Sequence, residues 1–188
     1  MENRLLFYSK DYNDMKRFSS YCYQINLALE CEPKNILELG KGNGVFTNFF
    51  KELLGVGNVV SVDHNPDLEP DVVNDIREIK CPNPAWDLVT AFEVLEHIPY
   101  TDFVKLLPEL CNATKKHVII SLPIHQNYFG EKKGMVSACH EWEINDEHRL
   151  TDVRAELEKY FHILNEINPK ENKYHYFFVL QKRELNEI

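Results

Sequence analysis

Residues Asn35 to Asp63 read NILELGKGNGVFTNFFKELLGVGNVVSVD, and this stretch decides the fold of the 188-residue chain. Its first part, Asn35 to Gly40, predicts a short buried strand that ends in glycine, and Val45 to Leu54 has the apolar spacing of a helix. Asn58 to Asp63 predicts a second strand. A strand, a glycine turn, a helix and a further strand in this order indicate parallel strands joined by a helical crossover.

Outside this segment the alternation of strands and helices continues. Further strands are predicted near Asp71 to Asn74, at Trp86 to Glu93 and at His117 to Pro123. These are nearly continuous apolar runs, as in parallel sheets that are covered on both faces. Ile163 to Ile167 and Tyr174 to Lys182 are separated by turn-forming residues and predict an antiparallel hairpin. The predicted fold class is α/β, with a doubly wound and mostly parallel sheet.

Three more helices are predicted, at residues 12 to 31, Thr101 to Thr114 and Thr151 to Phe161. In the second of these, the TD dipeptide at the start suits an N-cap. Pro108 is expected to kink or split this helix, because proline lacks the backbone N–H that the helix needs.

The length and the absence of linkers predict one domain. A domain commonly has roughly 150 residues, and no repeat or low-complexity tract divides the sequence. We therefore expect a single domain over residues 1–188. Within it, residues 1–32 are expected to form a helical lid, and residues 124–148, which lack periodicity, a substrate-side insertion.

Composition and charge restrict the function. The chain has 21 lysines and arginines against 30 aspartates and glutamates, a formal net charge of −9, which disfavours a long nucleic-acid-binding surface. The five cysteines are odd in number and never in CxxC spacing, as expected for free thiols in a reducing cytoplasm. No apolar run approaches the roughly 18 residues of a membrane span, and no signal peptide is predicted.

The glycine turn predicts a ligand site. Gly40, Gly42 and Gly44 would let a ligand approach the backbone, and the helix that follows offers unpaired N–H donors. Asp63 ends the next strand about 20 residues later, where a carboxylate can bind both hydroxyls of a ribose. Val45 stands where a dinucleotide site has glycine or alanine, so the pattern leans away from a dinucleotide.

Two further carboxylates, Glu38 and Asp75, are predicted near this turn. Carboxylates repel a pyrophosphate, whereas they suit a ligand that has a cationic amine and no phosphate. An alternative role for Asp75 is to cap the helical turn that follows it.

The chain resembles the class I S-adenosylmethionine (SAM) methyltransferases over about residues 33 to 183. Four segments match in order: ELGKGNG, VVSVD, NDI and WDLVTAFEVLEHI. The resemblance implies a Rossmann-like seven-stranded sheet with an antiparallel last strand, and SAM as cofactor. Lys41 departs from the family pattern and would crowd the turn unless its stem points outward. The implied cofactor-binding residues are Glu38, Gly40, Gly42 and Asp63 around the methionine and ribose, His64, Asp75 and Ile76 near the adenine, and Glu93 at the end of the fourth strand.

The motif FEVLEHIP suggests a metal site. It places Glu93, Glu96 and His97 at positions i, i+3 and i+4, on one side of a helical turn if that turn begins where strand four ends. Two carboxylates and an imidazole are three ligands of a divalent-metal site. Candidates for a fourth ligand are His125, His140 and His148.

This ExxEH spacing with a distal histidine is similar to that of ubiquinone-pathway O-methyltransferases and small-RNA terminal 2′-O-methyltransferases. The resemblance implies a divalent ion, usually magnesium, held by Glu93, Glu96, His97 and His140, the last because CHEWEIN resembles the segment that supplies their distal ligand. Without a metal, His97 or His140 is the candidate catalytic base. In the plainer alternative, the glutamate and histidine of the motif only line the cofactor cleft or bond to the backbone.

Other residues have simpler predicted roles. His125 and His148 are expected to be solvated loop histidines. Trp142 is expected either to cap the acceptor pocket or to anchor the 124–148 segment. Structural roles are expected for the strand-flanking histidines His117, His162 and His175.

The sequence thus predicts a cytoplasmic SAM-dependent methyltransferase that acts on a hydroxyl of a small-molecule acceptor, without a nucleic-acid or membrane partner. The acceptor oxygen would attack the methyl carbon in line with the departing sulfur, so positioning and exclusion of water supply much of the acceleration. Two alternatives stay open: 2′-O-methylation of an RNA end, and a SAM-binding protein without catalytic activity.

Overall fold

A computed structural model describes residues 15–81, 83–125 and 140–184. Its α-helices are α1 Met15–Glu30, α2 Val45–Leu54, α3 Tyr100–Ala113 and α4 Leu150–Leu157. Its strands are β1 Ile36–Leu39, β2 Val59–Asp63, β3 Val72–Val73, β4 Trp86–Phe92, β5 Thr114–Pro123, β6 Phe161–Ile167 and β7 His175–Lys182.

The strands form one seven-stranded sheet in the order β3-β2-β1-β4-β5-β7-β6. Strands β1 to β5 pair in parallel, and β7 is antiparallel to both of its neighbours, β5 and β6. The predicted α/β fold, Rossmann-like and mostly parallel with an antiparallel last strand, is confirmed. Leu37 and Val89 belong to one buried cluster and Ile36 and Leu88 to another, because successive side chains of a strand point to opposite faces.

The carboxyl ends of β1 and β4 position the candidate site. Strands β2 and β3 lie on one side of β1, and β4 and β5 lie on its other side. The loops after β1 and β4 therefore leave in opposite directions and open a crevice between them. Strand β7 runs the other way, so its first residue, His175, reaches the same edge and pairs with Pro123 of β5.

Helix α3 differs from its predicted form at two points. It begins at Tyr100, and the Pro99 carbonyl accepts from the Asp102 N–H at 2.8 Å, so the predicted cap at the TD dipeptide is wrong. The fixed φ of proline suits the position just before a helix. Pro108 does not split α3, whose leucines on both sides of the proline are buried.

The remaining differences concern boundaries. Helix α4 ends at Leu157 rather than at Phe161, which is the first residue of β6. No helix in the described part of the chain is both long enough and apolar enough to span a membrane. Residues 1–14 of the predicted lid and 126–139 of the predicted insertion lie outside the described residues, and the division into one domain over 1–188 stays a prediction.

Candidate active site

A cleft with a volume of about 1420 Å³ opens at the carboxyl edge of the sheet. A pocket for one drug-sized ligand commonly measures roughly 300–1,000 Å³, so this cleft is larger than a typical pocket for a single ligand. All residues that the sequence predicted as cofactor or metal ligands line it: Glu38, Gly40, Gly42, Asp63, His64, Asp75, Ile76, Glu93, Glu96, His97 and His140.

The glycine turn after β1 packs directly against the end of β4. Gly40 and Gly42 have φ angles of 80° and 53°, in the left-handed region that glycine adopts without a steric cost. A Cβ atom on Gly40 would lie 2.7 Å from the side chain of Val94. A ligand lying on the turn therefore comes close to the segment that follows β4.

Lys41 extends from the glycine turn to the loop after β2. Its Nζ donates to the carbonyls of Leu68 and Glu69, at 2.8 and 2.5 Å. The ammonium group is thus occupied by the backbone of that loop, while the side chain forms part of the cleft wall.

Asp63, the last residue of β2, is held beside the glycine turn. Its Oδ2 accepts from the Gly42 N–H at 3.2 Å, and its Oδ1 accepts from the Asn65 N–H at 2.9 Å. Each carboxylate oxygen has two lone pairs, so both keep the capacity to accept from ligand hydroxyls. The ring of His64 lies alongside, with Nδ1 3.4 Å from Oδ1 of Asp63 and the side chain largely exposed.

Asp75 caps the short 3₁₀ turn Ile76–Glu78 by accepting from the Arg77 N–H at 2.9 Å. The Arg77 guanidinium also binds the carboxylate, with Nη2 2.5 Å from Oδ2, and lowers the pKa of Asp75 to about 2. The capping role predicted as the alternative is therefore observed, at a residue that also lines the cleft.

Glu38 is buried in the middle of β1. The hydroxyl of Thr47, on α2, donates to its carboxyl group. Burial raises the pKa of Glu38 to about 8, because loss of water disfavours the charged form. The side chain is therefore mostly protonated near neutral pH.

Glu93 does not share a helical turn with Glu96 and His97. Its backbone lies in the left-handed region, with a φ of 51°, and a 3₁₀ turn begins two residues later, at Leu95. The predicted i, i+3, i+4 arrangement is wrong for this reason. The Oε2 atom of Glu93 lies instead 3.1 Å from Nε2 of His175.

Glu96, His97 and His140 form a cluster whose potential ligand atoms all lie within 4.8 Å of one another. The Oε1 atom of Glu96 is 4.0 Å from Nε2 of His97 and 3.9 Å from Nε2 of His140. The Glu96 side chain is buried, whereas that of His97 is 41% exposed. Three of the four predicted metal ligands thus come together, and Glu93 lies outside their cluster.

Two hydrogen bonds hold the segment around His140 to the end of β4. The Glu141 N–H donates to the Glu96 carbonyl at 2.7 Å. The indole N–H of Trp142 donates to the Leu95 carbonyl at 3.1 Å, and the side chain is buried. Of the two roles predicted for Trp142, the anchoring role is the one observed.

Two residues of the cleft, Glu143 and His175, were not predicted as site residues. Oε1 of Glu143 lies 2.8 Å from Nδ1 of His140; since a carboxylate accepts, Nδ1 donates and Nε2 is left to face Glu96. In the sequence HEWE, His140 and Glu143 are three residues apart, and this spacing could have indicated that they pair. His175 was expected to be structural, but it lies beside Glu93, and burial lowers its pKa. Its place depends on the pairing of β7 with β5, which no local pattern reveals.

The loop histidines also differ from expectation. His125 lines the cleft, and His148 stacks on Tyr100 with ring centroids 4.2 Å apart. The prediction of a simply solvated histidine is wrong for His148, because its ring packs on an aromatic neighbour, and it stays a prediction for His125. Neither belongs to the Glu96 cluster.

A family model described as a methyltransferase domain matches residues 14–165. The chain belongs to the methyltransferase domain family. The resemblance to class I SAM-dependent methyltransferases and the expected methyl-transfer activity are confirmed, while membership of the ExxEH…H subset stays a prediction. Among curated proteins, none matches this methyltransferase in sequence at a significant level.

Solved methyltransferases have a similar fold. The N-methyltransferase NodS from Bradyrhizobium japonicum, in complex with S-adenosyl-L-homocysteine (SAH), aligns with a TM-score of 0.68 and 14% identity over 97% of this chain and 96% of its own. Magnesium protoporphyrin IX methyltransferase from Synechocystis, with bound SAM, has a TM-score of 0.65 and 11% identity over 89% of this chain and 80% of its own. The small RNA methyltransferase HEN1 has a TM-score of 0.66 and 14% identity over 88% of this chain and 25% of its own.

Proposed function

We propose that this methyltransferase transfers the methyl group of SAM to a hydroxyl of a small-molecule acceptor. The observation that carries the proposal is a single cleft that joins the glycine turn and Asp63 to the cluster of Glu96, His97 and His140. Its volume suits a cofactor and an acceptor together. Crystal structures of proteins with this fold in complex with SAM or SAH support the choice of cofactor.

In the cofactor half, Asp63 accepts from the two ribose hydroxyls, because the backbone bonds from Gly42 and Asn65 fix its carboxylate while lone pairs stay open. The glycine turn would hold the amino-acid end of SAM, and the short turn after Asp75 would contact the adenine. The proposed cofactor-binding set is Glu38, Gly40, Gly42, Asp63, His64, Asp75, Ile76 and Glu93.

In the acceptor half, we assign His140 as the general base, with His97 as the second candidate. Glu143 accepts from Nδ1 of His140 and so keeps the lone pair on Nε2, the arrangement that makes a histidine basic and fixes its orientation. The acceptor oxygen attacks the methyl carbon, its proton passes to Nε2, and the bond between methyl carbon and sulfur breaks. The products are the methylated acceptor and SAH.

The Glu96, His97 and His140 cluster also fits a divalent metal ion, because one carboxylate and two imidazoles converge within 4.8 Å. Two nitrogen donors suit Mn²⁺, Fe²⁺ or Zn²⁺ better than Mg²⁺, which prefers oxygen ligands. When bound, such an ion supplies Lewis-acid chemistry that lowers the pKa of a coordinated hydroxyl. Glu93 is left out of this proposed ligand set because it lies outside the cluster.

We propose a cytoplasmic location because the five cysteines are odd in number and never in CxxC spacing. We prefer a small acceptor to RNA because the net charge is −9. The two alternative functions are methylation of an RNA end and SAM binding without catalysis. The experiments below distinguish them from the proposed function.

Ligand-induced thermal stabilisation tests the cofactor assignment. SAM, SAH and NAD are compared, each with and without Mg²⁺ or Mn²⁺; a ligand at 100 times its Kd should stabilise the protein by about 2.7 kcal/mol. We expect stabilisation by SAM and SAH, none by NAD, and loss of the SAM effect in Asp63→Ala. Stabilisation by NAD alone would overturn the cofactor assignment.

Transfer of a labelled methyl group tests the acceptor assignment. Hydroxyl-bearing small molecules, amines and short RNAs are incubated with methyl-labelled SAM and the enzyme, and the His140→Gln variant is the control for the base. We expect label on hydroxyl compounds only, with a loss in His140→Gln of about 100-fold or more. Labelling of RNA or amines only would contradict the proposal.

A further inference from the structure

Four polar side chains from distant parts of the chain, all largely buried, form a row that is joined by two hydrogen bonds and one ion-pair contact. Asn172, between β6 and β7, donates from Nδ2 to Oγ of Ser20 on α1 at 3.0 Å. Ser20 Oγ is 2.8 Å from Nδ1 of His175 on β7, and Nε2 of His175 is 3.1 Å from Oε2 of Glu93. Ser20 is completely buried, and the other side chains of the row are nearly so.

The two hydrogen bonds of this row lead from Asn172 to His175, and the ion-pair contact leads from His175 to Glu93. Because Asn172 donates to Ser20, the single hydroxyl hydrogen of Ser20 is available for Nδ1 of His175. A neutral imidazole that accepts at Nδ1 carries its hydrogen on Nε2, and Nε2 faces Oε2 of Glu93. The row therefore places the Nε2 hydrogen of His175 beside one oxygen of the Glu93 carboxylate and holds that side chain in place.

The other oxygen of Glu93 is left for a ligand. Oε1 is buried and has no hydrogen-bond partner among the described residues, and Glu93 lines the cleft. The backbone of Glu93 has a φ of 51°, and its N–H donates to Oγ of Ser121 at 3.0 Å. Such a conformation is uncommon for a residue with a side chain and clusters at functional sites.

The position of Glu93 indicates the cofactor half of the cleft. The next residue, Val94, lies against Gly40 of the glycine turn, and Glu93 lies outside the Glu96 cluster. A buried carboxylate oxygen calls for a donor, and a cationic one is preferred. At the amino-acid end of SAM, the ammonium group is the one that offers N–H donors.

We propose that His175 is a positioning residue that, held by Ser20 of α1, fixes Glu93 so that its Oε1 accepts from the ammonium group of SAM. This inference rests on the proposed function, because it requires SAM in the cleft. It makes α1 and the last hairpin part of the cofactor site, although neither contains one of the family's motifs.

The test compares the Kd values of SAM and of 5′-methylthioadenosine, a thioether that lacks the amino-acid end, by isothermal titration calorimetry. In His175→Leu we expect the Kd of SAM to rise about 10-fold or more, as for loss of a charged hydrogen bond, with the Kd of methylthioadenosine within about twofold of wild type. His175→Gln, whose amide can donate in place of Nε2, should recover most of the SAM affinity.

Matched variants separate the row from its surroundings. Ser20→Ala should weaken SAM binding in the same direction, whereas Ser19→Ala, on the same helix and bonded only to the Lys16 carbonyl at 2.8 Å, should not. In a Glu93→Gln background, His175→Leu should cause little further loss of SAM affinity, because both changes act on the same interaction.

The outcomes distinguish this inference from the proposed function. If wild type binds SAM and the His175 and Ser20 variants bind it equally well, or lose SAM and methylthioadenosine affinity in parallel, the inference is wrong and the proposed function stands. If wild type binds methylthioadenosine but not SAM, or binds neither, both are wrong. The Ser20 and His175→Gln variants keep the test decisive if His175→Leu fails to fold.

Discussion

At the residue scale, the site is built from side chains that the sequence reveals to different degrees. Asp63 and Gly40 could be predicted because the first ends a strand and the second follows one, within a local pattern of glycines and apolar residues. His175 could not, because its neighbour Glu93 is far away in the sequence and the two meet only through the pairing of β5 and β7. A local sequence pattern is enough to identify residues such as Asp63 and Gly40, whereas His175 is identified only once the pairing of the strands is known.

The contact of Gly40 with Val94 leads to a stability prediction. Gly40→Ala combines a φ of 80° with a Cβ atom 2.7 Å from Val94, so we expect the free energy of unfolding to fall by about 2 to 4 kcal/mol. Urea denaturation measures the change. Gly57→Ala is the matched control, because a Cβ there meets no atom within 4 Å; equal losses in the two variants would contradict the steric reason.

The buried carboxyl group of Glu38 predicts a pH dependence of stability. Its pKa is raised from 4.5 to about 8 in the folded protein, so between these values the folded state keeps a proton that the unfolded state has lost. The contribution to the free energy of unfolding therefore falls as pH rises through this window, by at most about 1.4 kcal/mol per pH unit.

Urea denaturation measures this contribution. The free energies of unfolding of wild type and Glu38→Gln are compared at several pH values between 5 and 8 (roughly the window given above). We expect the wild type to lose stability relative to the variant as the pH rises. Parallel pH profiles of the two proteins would show that Glu38 ionises with an ordinary pKa.

At the element scale, the strands were predicted well, and the turns at their ends less well. The apolar runs of β1, β2, β4 and β5 identify buried parallel strands because both faces of the sheet are covered. The left-handed backbone at Glu93 delays the following 3₁₀ turn to Leu95, and this separates Glu93 from the Glu96 cluster. Motif spacing alone cannot show such a change of backbone, since it assumes a continuous helical turn.

The anchoring of the 140–144 segment by Trp142 leads to a prediction about the cluster. Trp142→Phe keeps an aromatic side chain but loses the hydrogen bond to the Leu95 carbonyl, so we expect about 1 kcal/mol lower stability and a smaller thermal stabilisation by Mn²⁺. Differential scanning fluorimetry with and without Mn²⁺ measures both. Trp86→Phe, at the opposite end of β4, is the control and should keep the full response to the ion.

At the scale of the whole molecule, residues from both ends of the described chain contribute to the cleft and its surroundings. The first and last segments, α1 and the β6–β7 turn, meet through Ser20 and Asn172, while the glycine turn and the end of β4 supply the centre. The sequence predicted the central part, because its motifs are contiguous. It also predicted an N-terminal helical lid, but it did not predict the contribution of the β6–β7 hairpin, because that requires the complete sheet order.

This arrangement predicts how SAM alters amide hydrogen exchange. We expect slower exchange at the glycine turn and after β4, and also in α1, because a ligand on Glu93 would steady the row that ends at Asn172. Hydrogen exchange mass spectrometry with and without SAM measures the effect. Protection confined to the glycine turn, with α1 unchanged, would contradict the coupling, and Ser20→Ala should abolish the effect in α1 alone.

The reversed direction of β7 has a consequence for synthesis of the protein on the ribosome. The glycine turn, Asp63 and Glu96 emerge first and can begin to fold while the hairpin is still being translated. His175 reaches the rim only when β7 has inserted between β5 and β6, so a growing polypeptide would complete the proposed cofactor pocket only after this hairpin has left the ribosome.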